Sequence, residues 1–79
     1  MVEDLFARHR AAVYGRALRW TRNAAEAEDL TQETLLRAHT RIDTLKDPTA
    51  ALAWLLRIAD RVSIDRLRQR DSLQARSID

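Results

Sequence analysis

An all-α fold, a small three-helix bundle, is predicted by three features of the sequence. One glycine and one proline among 79 residues leave little with which to build the tight turns that a sheet of short strands requires. Apolar residues recur at steps of three and four, the spacing of one helix face. Two capping signals, Asn23 and the Asp47-Pro48 pair, divide the chain into three such stretches. At this length a single domain buries only about 60% of its unfolded surface, so the core is small.

The first helix is expected over about residues 2 to 21, from the stripe Val2, Leu5, Phe6, Val13, Ala17 and Trp20, with one longer gap across His9. Asn23 then stands three positions before Glu26, an arrangement that caps free amides at a helix start. The second helix, to about residue 43, carries Ala27, Leu30, Thr34, Ala38 and Ile42 on one stripe and Glu26, Asp29, Glu33, Arg37 and Arg41 on another. Asp47, kept extended by the proline after it, suits a cap, and Pro48 suits a first helical position. The third helix, about 48 to 70, is expected to bury Leu52, Leu55, Ile58, Ala59 and Val62. A short extra turn fits at a helix junction. From Asp71 the apolar pattern lapses, so the folded unit is read as residues 1–70 and residues 71–79 as a linker or frayed end.

Several function classes are excluded or disfavoured. There is no cysteine, and His9 and His39 lie 30 residues apart with no carboxylate at a ligand spacing, so neither a metal nor another cofactor is expected. No nucleophile and base stand at a usable spacing, which argues against an enzyme. No apolar run approaches the ~20 residues that cross a bilayer, and the chain opens on Val2, Glu3 and Asp4. A cytoplasmic protein without membrane insertion is expected.

The net charge is only +2, but its distribution is uneven. Between Arg22 and Arg37 stand four acids, Glu26, Glu28, Asp29 and Glu33, and no base. Acids favour a helix start through the dipole, and Glu33 with Arg37 is an ordinary one-turn pair. The same patch can equally be a docking face, with Asp29, Gln32 and Glu33 for a basic protein partner and Leu36 and Leu30 completing or supporting it. The third helix is the opposite case: from Arg57 to Arg70 five arginines face two aspartates. Trp54, Arg57, Arg61 and Arg68 fall within an arc of about 60° over a rise of about 21 Å. Such a strip is either a solvated face or a surface that holds phosphates while an indole stacks an unpaired base.

The run Ala27, Glu28, Asp29, Leu30, Thr31, Gln32, Glu33, Thr34, Leu35, Leu36, Arg37, Ala38 resembles the polymerase-binding helix of bacterial sigma factors. It is followed at the family spacing by Ala53-Trp54-Leu55-Leu56-Arg57-Ile58-Ala59 and by Asp65-Arg66-Leu67-Arg68. The likeness spans about residues 3 to 70 and is most similar to region 2 of the extracytoplasmic-function (ECF) group. It implies that Asp29, Gln32, Glu33 and Leu36 dock on the basic coiled coil of the RNA polymerase β′ subunit. It further implies that the segment from Leu45 to Ala50, with Lys46, Asp47 and Thr49, and the third helix, with Trp54, Arg57, Arg61, Asp65, Arg66 and Arg68, take the promoter minus-ten element as non-template single strand. An anti-sigma factor is an implied partner. Region 4, which reads the minus-thirty-five element, has no counterpart in these 79 residues. Two departures stand out: the loop reads Leu45-Lys46-Asp47-Pro48 where the family commonly has an aromatic, Arg and Gly, and Arg61 replaces a common Asn. Because Arg favours guanine or phosphate where Asn favours adenine, the family's base preference is not carried over. The rival reading is a helical interaction module, held by an anti-sigma factor, whose arginines only solubilise it.

Overall fold

The computed structural model describes the backbone of residues 2–78 and the side chains of residues 2–73. The element order is α1 (Val2–Thr21), α2 (Ala24–Thr40), 3-10 turns at Ile42–Thr44 and Pro48–Ala50, and α3 (Ala51–Ile78), with no strand among the described residues. The fold is all-α, as the sequence predicts.

The α1–α2 reversal takes two residues. Arg22 adopts the left-handed conformation (φ 53°) and its N–H closes the last turn on Leu18 O at 2.7 Å. A non-glycine residue there costs on the order of 1 kcal/mol. Asn23 follows in extended backbone, and its side chain accepts from Glu26 N at 2.9 Å, the predicted cap. The helices then run antiparallel, with Arg10 paired to Glu28 and the Phe6 ring edge-on to His39 at 6.4 Å. α3 returns antiparallel to α2, since Glu26 reaches Arg70 while Arg37 reaches Asp65.

The core is thin and built from small side chains. Val13, Ala17, Ala27, Leu30, Ala38, Leu55, Ile58, Ala59 and Val62 form one cluster, with Phe6, Tyr14, Leu35 and Trp54 packed against it. Thr31, Thr34 and Ser63 are also buried, and each hydroxyl donates to the carbonyl four residues back (Ala27, Leu30 and Ala59), which removes the cost of burying it. Asp60 fastens α1 to α3, accepting from Arg16 Nη1 at 2.8 and 3.0 Å and from Trp20 Nε1 at 2.9 Å.

Five expectations are corrected. α2 stops at Thr40, and Ile42 sits half-buried in a 3-10 turn instead of on the helix stripe. α3 begins at Ala51, because Asp47 and Pro48 cap a separate 3-10 turn before it. Leu52 is 37% exposed, the core position at that end being taken by Ala51, one turn before Leu55. Trp20 is 41% exposed; its ring closes the rim of the bundle with its N–H on Asp60. α3 also continues past residue 70 to Ile78, with residues 71–73 exposed. No helix among the described residues is long and apolar enough to cross a membrane.

Candidate binding surfaces

On α2, Asp29, Gln32, Glu33 and Leu36 share an arc of about 100° on the outer face. The arc has two distinct flanks. Toward α1, Gln32 and the 70% exposed Leu36 line an open, mostly apolar groove of about 500 Å³ with Phe6, Arg10, Leu35 and His39. Toward α3, Asp29 and Glu33 meet Arg66: Nη2 lies 3.2 Å from Asp29 Oδ2, and Nε donates to Glu33 Oε1 at 3.1 Å. Glu33 also takes Arg37 at 3.2 Å, Arg37 reaches Asp65 at 3.1 Å, and Asp65 takes Arg61 Nε at 3.4 Å. Burial pulls the Arg66 pKa down, but the hydrogen bond and charge of Glu33, joined by Asp29, outweigh it and raise it above the ordinary arginine value.

The opposite charges lie on separate helices, as the sequence predicts, but they meet at one seam and do not form separate surfaces. Each of the four acids at the start of α2 has a basic neighbour: Glu26 has Arg70, Glu28 has Arg10, Asp29 has Arg66, and Glu33 has Arg66 and Arg37. The α2–α3 seam is a ladder of alternating charge. Asp29 remains the most open of the acids in it, with 72% of its side chain exposed.

On α3 the predicted strip survives in part. Arg57 and Arg68 are exposed and form no ion pair among the described residues, and the Arg61 side chain is 63% exposed. Trp54 begins the strip but is half-buried against the core, its Nε1 donating to Thr44 Oγ1 at 3.3 Å. One ring edge is thus anchored to the 42–44 turn, which fixes the orientation of the rest. Arg66 does not lie on this strip. Two residues along a helix is a turn of about 200°, so Arg66 lies about 160° round from Arg68, facing α2. Asp65 stands at the edge, committed to Arg37 and Arg61.

The loop is ordered by its own side chains. Lys46 Nζ donates to Asp43 O at 3.2 Å, and the Asp47 carboxylate accepts from Thr49 Oγ1 at 2.8 Å and Thr49 N at 3.0 Å. The Thr49 hydroxyl bond and then its amide bond hold the exposed Asp47 carboxyl below its ordinary pKa. Asp47 and Thr49, which the resemblance assigns to DNA, thus order the turn before α3 and are both exposed.

Comparison with known proteins identifies the family. The sigma-70 region 2 family profile matches residues 5–73. The chain belongs to that family. The ECF RNA polymerase sigma factor SigL of Mycobacterium tuberculosis is 41% identical over 69 residues, 86% of this chain and 39% of that protein. RNA polymerase sigma factor CarQ of Myxococcus xanthus is 40% identical over 73 residues, 92% of this chain and 42% of that protein. The ECF RNA polymerase sigma factor SigW of Bacillus subtilis is 34% identical over 67 residues, 85% of this chain and 36% of that protein. This ECF-type region 2 chain spans about two-fifths of the length of these relatives. No solved structure gives a significant match.

Sequence reading missed the groove beside Gln32 and Leu36. Its signal was present: Gln32, Leu35, Leu36 and His39 stand at the i, i+3, i+4, i+7 spacing of one helix stripe. That stripe is shadowed by the acids and was not separated from the core stripe. His39, given no role from sequence, lines the groove through its contact with Phe6.

Proposed function

We propose that this chain is the part of an ECF sigma factor that docks on RNA polymerase through the outer face of α2 and holds melted promoter DNA on the outer face of α3. The observation that carries this reading is the placement of two unlike exposed surfaces on different helices. Gln32 and Leu36 border an apolar groove with the Asp29 carboxylate beside it, the make-up of a protein interface with a polar rim. Arg57, Arg61 and Arg68 follow Trp54 along a face with little acid of its own, which suits a phosphate backbone and an unstacked base.

The binding partners in this proposal are the β′ coiled coil of the polymerase core and the non-template strand of the minus-ten element. The protein itself performs no bond chemistry: it supplies binding energy to the separated strands. A ligand shifts the duplex toward the open state only by its preference for single strand over duplex. Stacking on Trp54 is worth about 1 to 3 kcal/mol per base and is available only to an unpaired base. The protein would work in the cytoplasm, where the polymerase is.

A second reading has one observation in its favour. Arg61, Arg66 and Arg70 are paired with carboxylates, so of the five arginines from Arg57 to Arg70 only Arg57 and Arg68 stand free among the described residues. That is the charge state of an interaction module held by an anti-sigma factor, without melting activity. Fluorescence anisotropy separates the two: the proposal predicts tighter binding to a labelled non-template minus-ten oligonucleotide than to the same sequence as duplex. Equal affinity for the two forms, or none for either, favours the interaction module.

A further inference from the structure

The ladder between α2 and α3 has a consequence for docking. Asp29, Glu33 and Asp65 are matched there by Arg37, Arg61 and Arg66, so the seam carries no net charge. A basic partner approaching α2 meets carboxylates that already hold a guanidinium. The two acids on the docking arc are not equally held: Glu33 is engaged by Arg66 through both Nε and Nη2 and by Arg37, whereas Asp29 has a single contact at 3.2 Å and is 72% exposed. Arg66 itself is enclosed, with 31% of its side chain exposed.

We propose that Arg66 is an intramolecular competitor for the docking carboxylates of α2, so that a basic partner seats itself by drawing Asp29 away from α3. The inference rests on the polymerase-docking reading of α2 above and adds how the strength of that docking is set. Asp29 is the acid that changes partner, because it is the more open and the more weakly held. Glu33 keeps Arg66 in the seam, so the exchange does not cost the bundle its α2–α3 contact. An Arg at this position lowers affinity for the partner while stabilising the free domain; the two effects have opposite signs and are separately measurable.

The test uses the 79-residue chain, its Arg66→Gln variant and a peptide of the basic β′ coiled coil, with affinities from isothermal titration calorimetry. Removing the competitor is expected to tighten binding about two- to fivefold, the equivalent of one partly exposed ion pair. The melting temperature of the free variant falls at the same time. Arg66→Lys keeps a cation in the seam without a fork that spans two carboxylates. It guards against a folding failure of the glutamine variant, and about a twofold tightening is expected of it. Unchanged or weaker binding by a folded variant, as judged by circular dichroism, overturns the proposal and makes Arg66 a support for Asp29 and Glu33 instead. If the unaltered chain does not bind the coiled coil at all, the docking reading itself falls.

Discussion

Arg66 and Arg68 stand two residues apart on one helix, yet the structure gives them different electrostatic surroundings, and salt dependence distinguishes them. On single-stranded nucleic acid each phosphate neutralised by a bound cation adds about 0.7 to the negative slope of log affinity against log salt. Arg57, Arg61 and Arg68 are the exposed arginines of the outer strip, which predicts a slope near −2 from that strip, about 0.7 from each. Raising salt from about 50 to 200 mM then weakens binding roughly twentyfold. Arg57→Ala with Arg68→Ala leaves about one such contact, a slope near −0.7 and a loss of only about threefold over the same range. Arg66→Gln leaves the slope unchanged, because that guanidinium is held on Asp29 and Glu33 on the far side of the helix. The assay is anisotropy of a labelled non-template oligonucleotide in a potassium chloride series, with circular dichroism confirming that each variant is folded. The reasoning is refuted if Arg66→Gln flattens the slope as much as Arg68→Ala does, or if the double variant keeps the full slope.

Trp54 combines packing and stacking, so Trp54→Ala should cost both stability, about 2 kcal/mol for a half-buried indole, and oligonucleotide affinity. Trp54→Phe should keep most of both while losing the bond to Thr44; urea melts and anisotropy measure the two effects. Leu36 is 70% exposed, so Leu36→Ala should leave the denaturation midpoint almost unmoved, within about 0.5 kcal/mol, while weakening capture of the β′ coiled coil in a pull-down. Asp47 has a depressed folded-state pKa, so its contribution to stability is present above the unfolded pKa and is lost as pH falls through the folded one. Thr49→Ala removes the main cause, and a carbon-13 carboxyl titration should find the Asp47 midpoint moved up toward its ordinary value.

The fold was legible because its signals are local. Scarcity of Gly and Pro excludes a sheet, Asn23 caps the helix it precedes, and Asp47 with Pro48 marks the break before α3. What the sequence hides is what depends on neighbouring helices. Trp20 and Leu52 sit at helix ends, where a periodic stripe continues but the packing partner no longer covers it. The continuation of α3 to Ile78 carries no apolar stripe in the sequence, and its residues 71–73 are exposed. Periodicity tests for burial, so it ends the helix too early.

The candidate site divides in the same way. Which residues share a face of α2 or α3 follows from spacing alone, and Gln32, Leu36, Arg57, Arg61 and Arg68 lie on exposed faces as that spacing predicts. The pairing of Glu33 with Arg66 joins residues 33 apart in sequence, and no pattern within one helix foretells it. Reading each helix by itself made α2 acidic and α3 basic; packed together, the two neutralise each other along the seam, while Arg57 and Arg68 on the outer strip form no ion pair among the described residues.

Everything proposed for this domain requires its protein-binding and DNA-binding faces to be usable at once. Native mass spectrometry of the chain mixed with the β′ coiled-coil peptide and the non-template oligonucleotide tests this directly. The account predicts a ternary species with one copy of each component. Two binary complexes that exclude each other at saturating concentrations would contradict it.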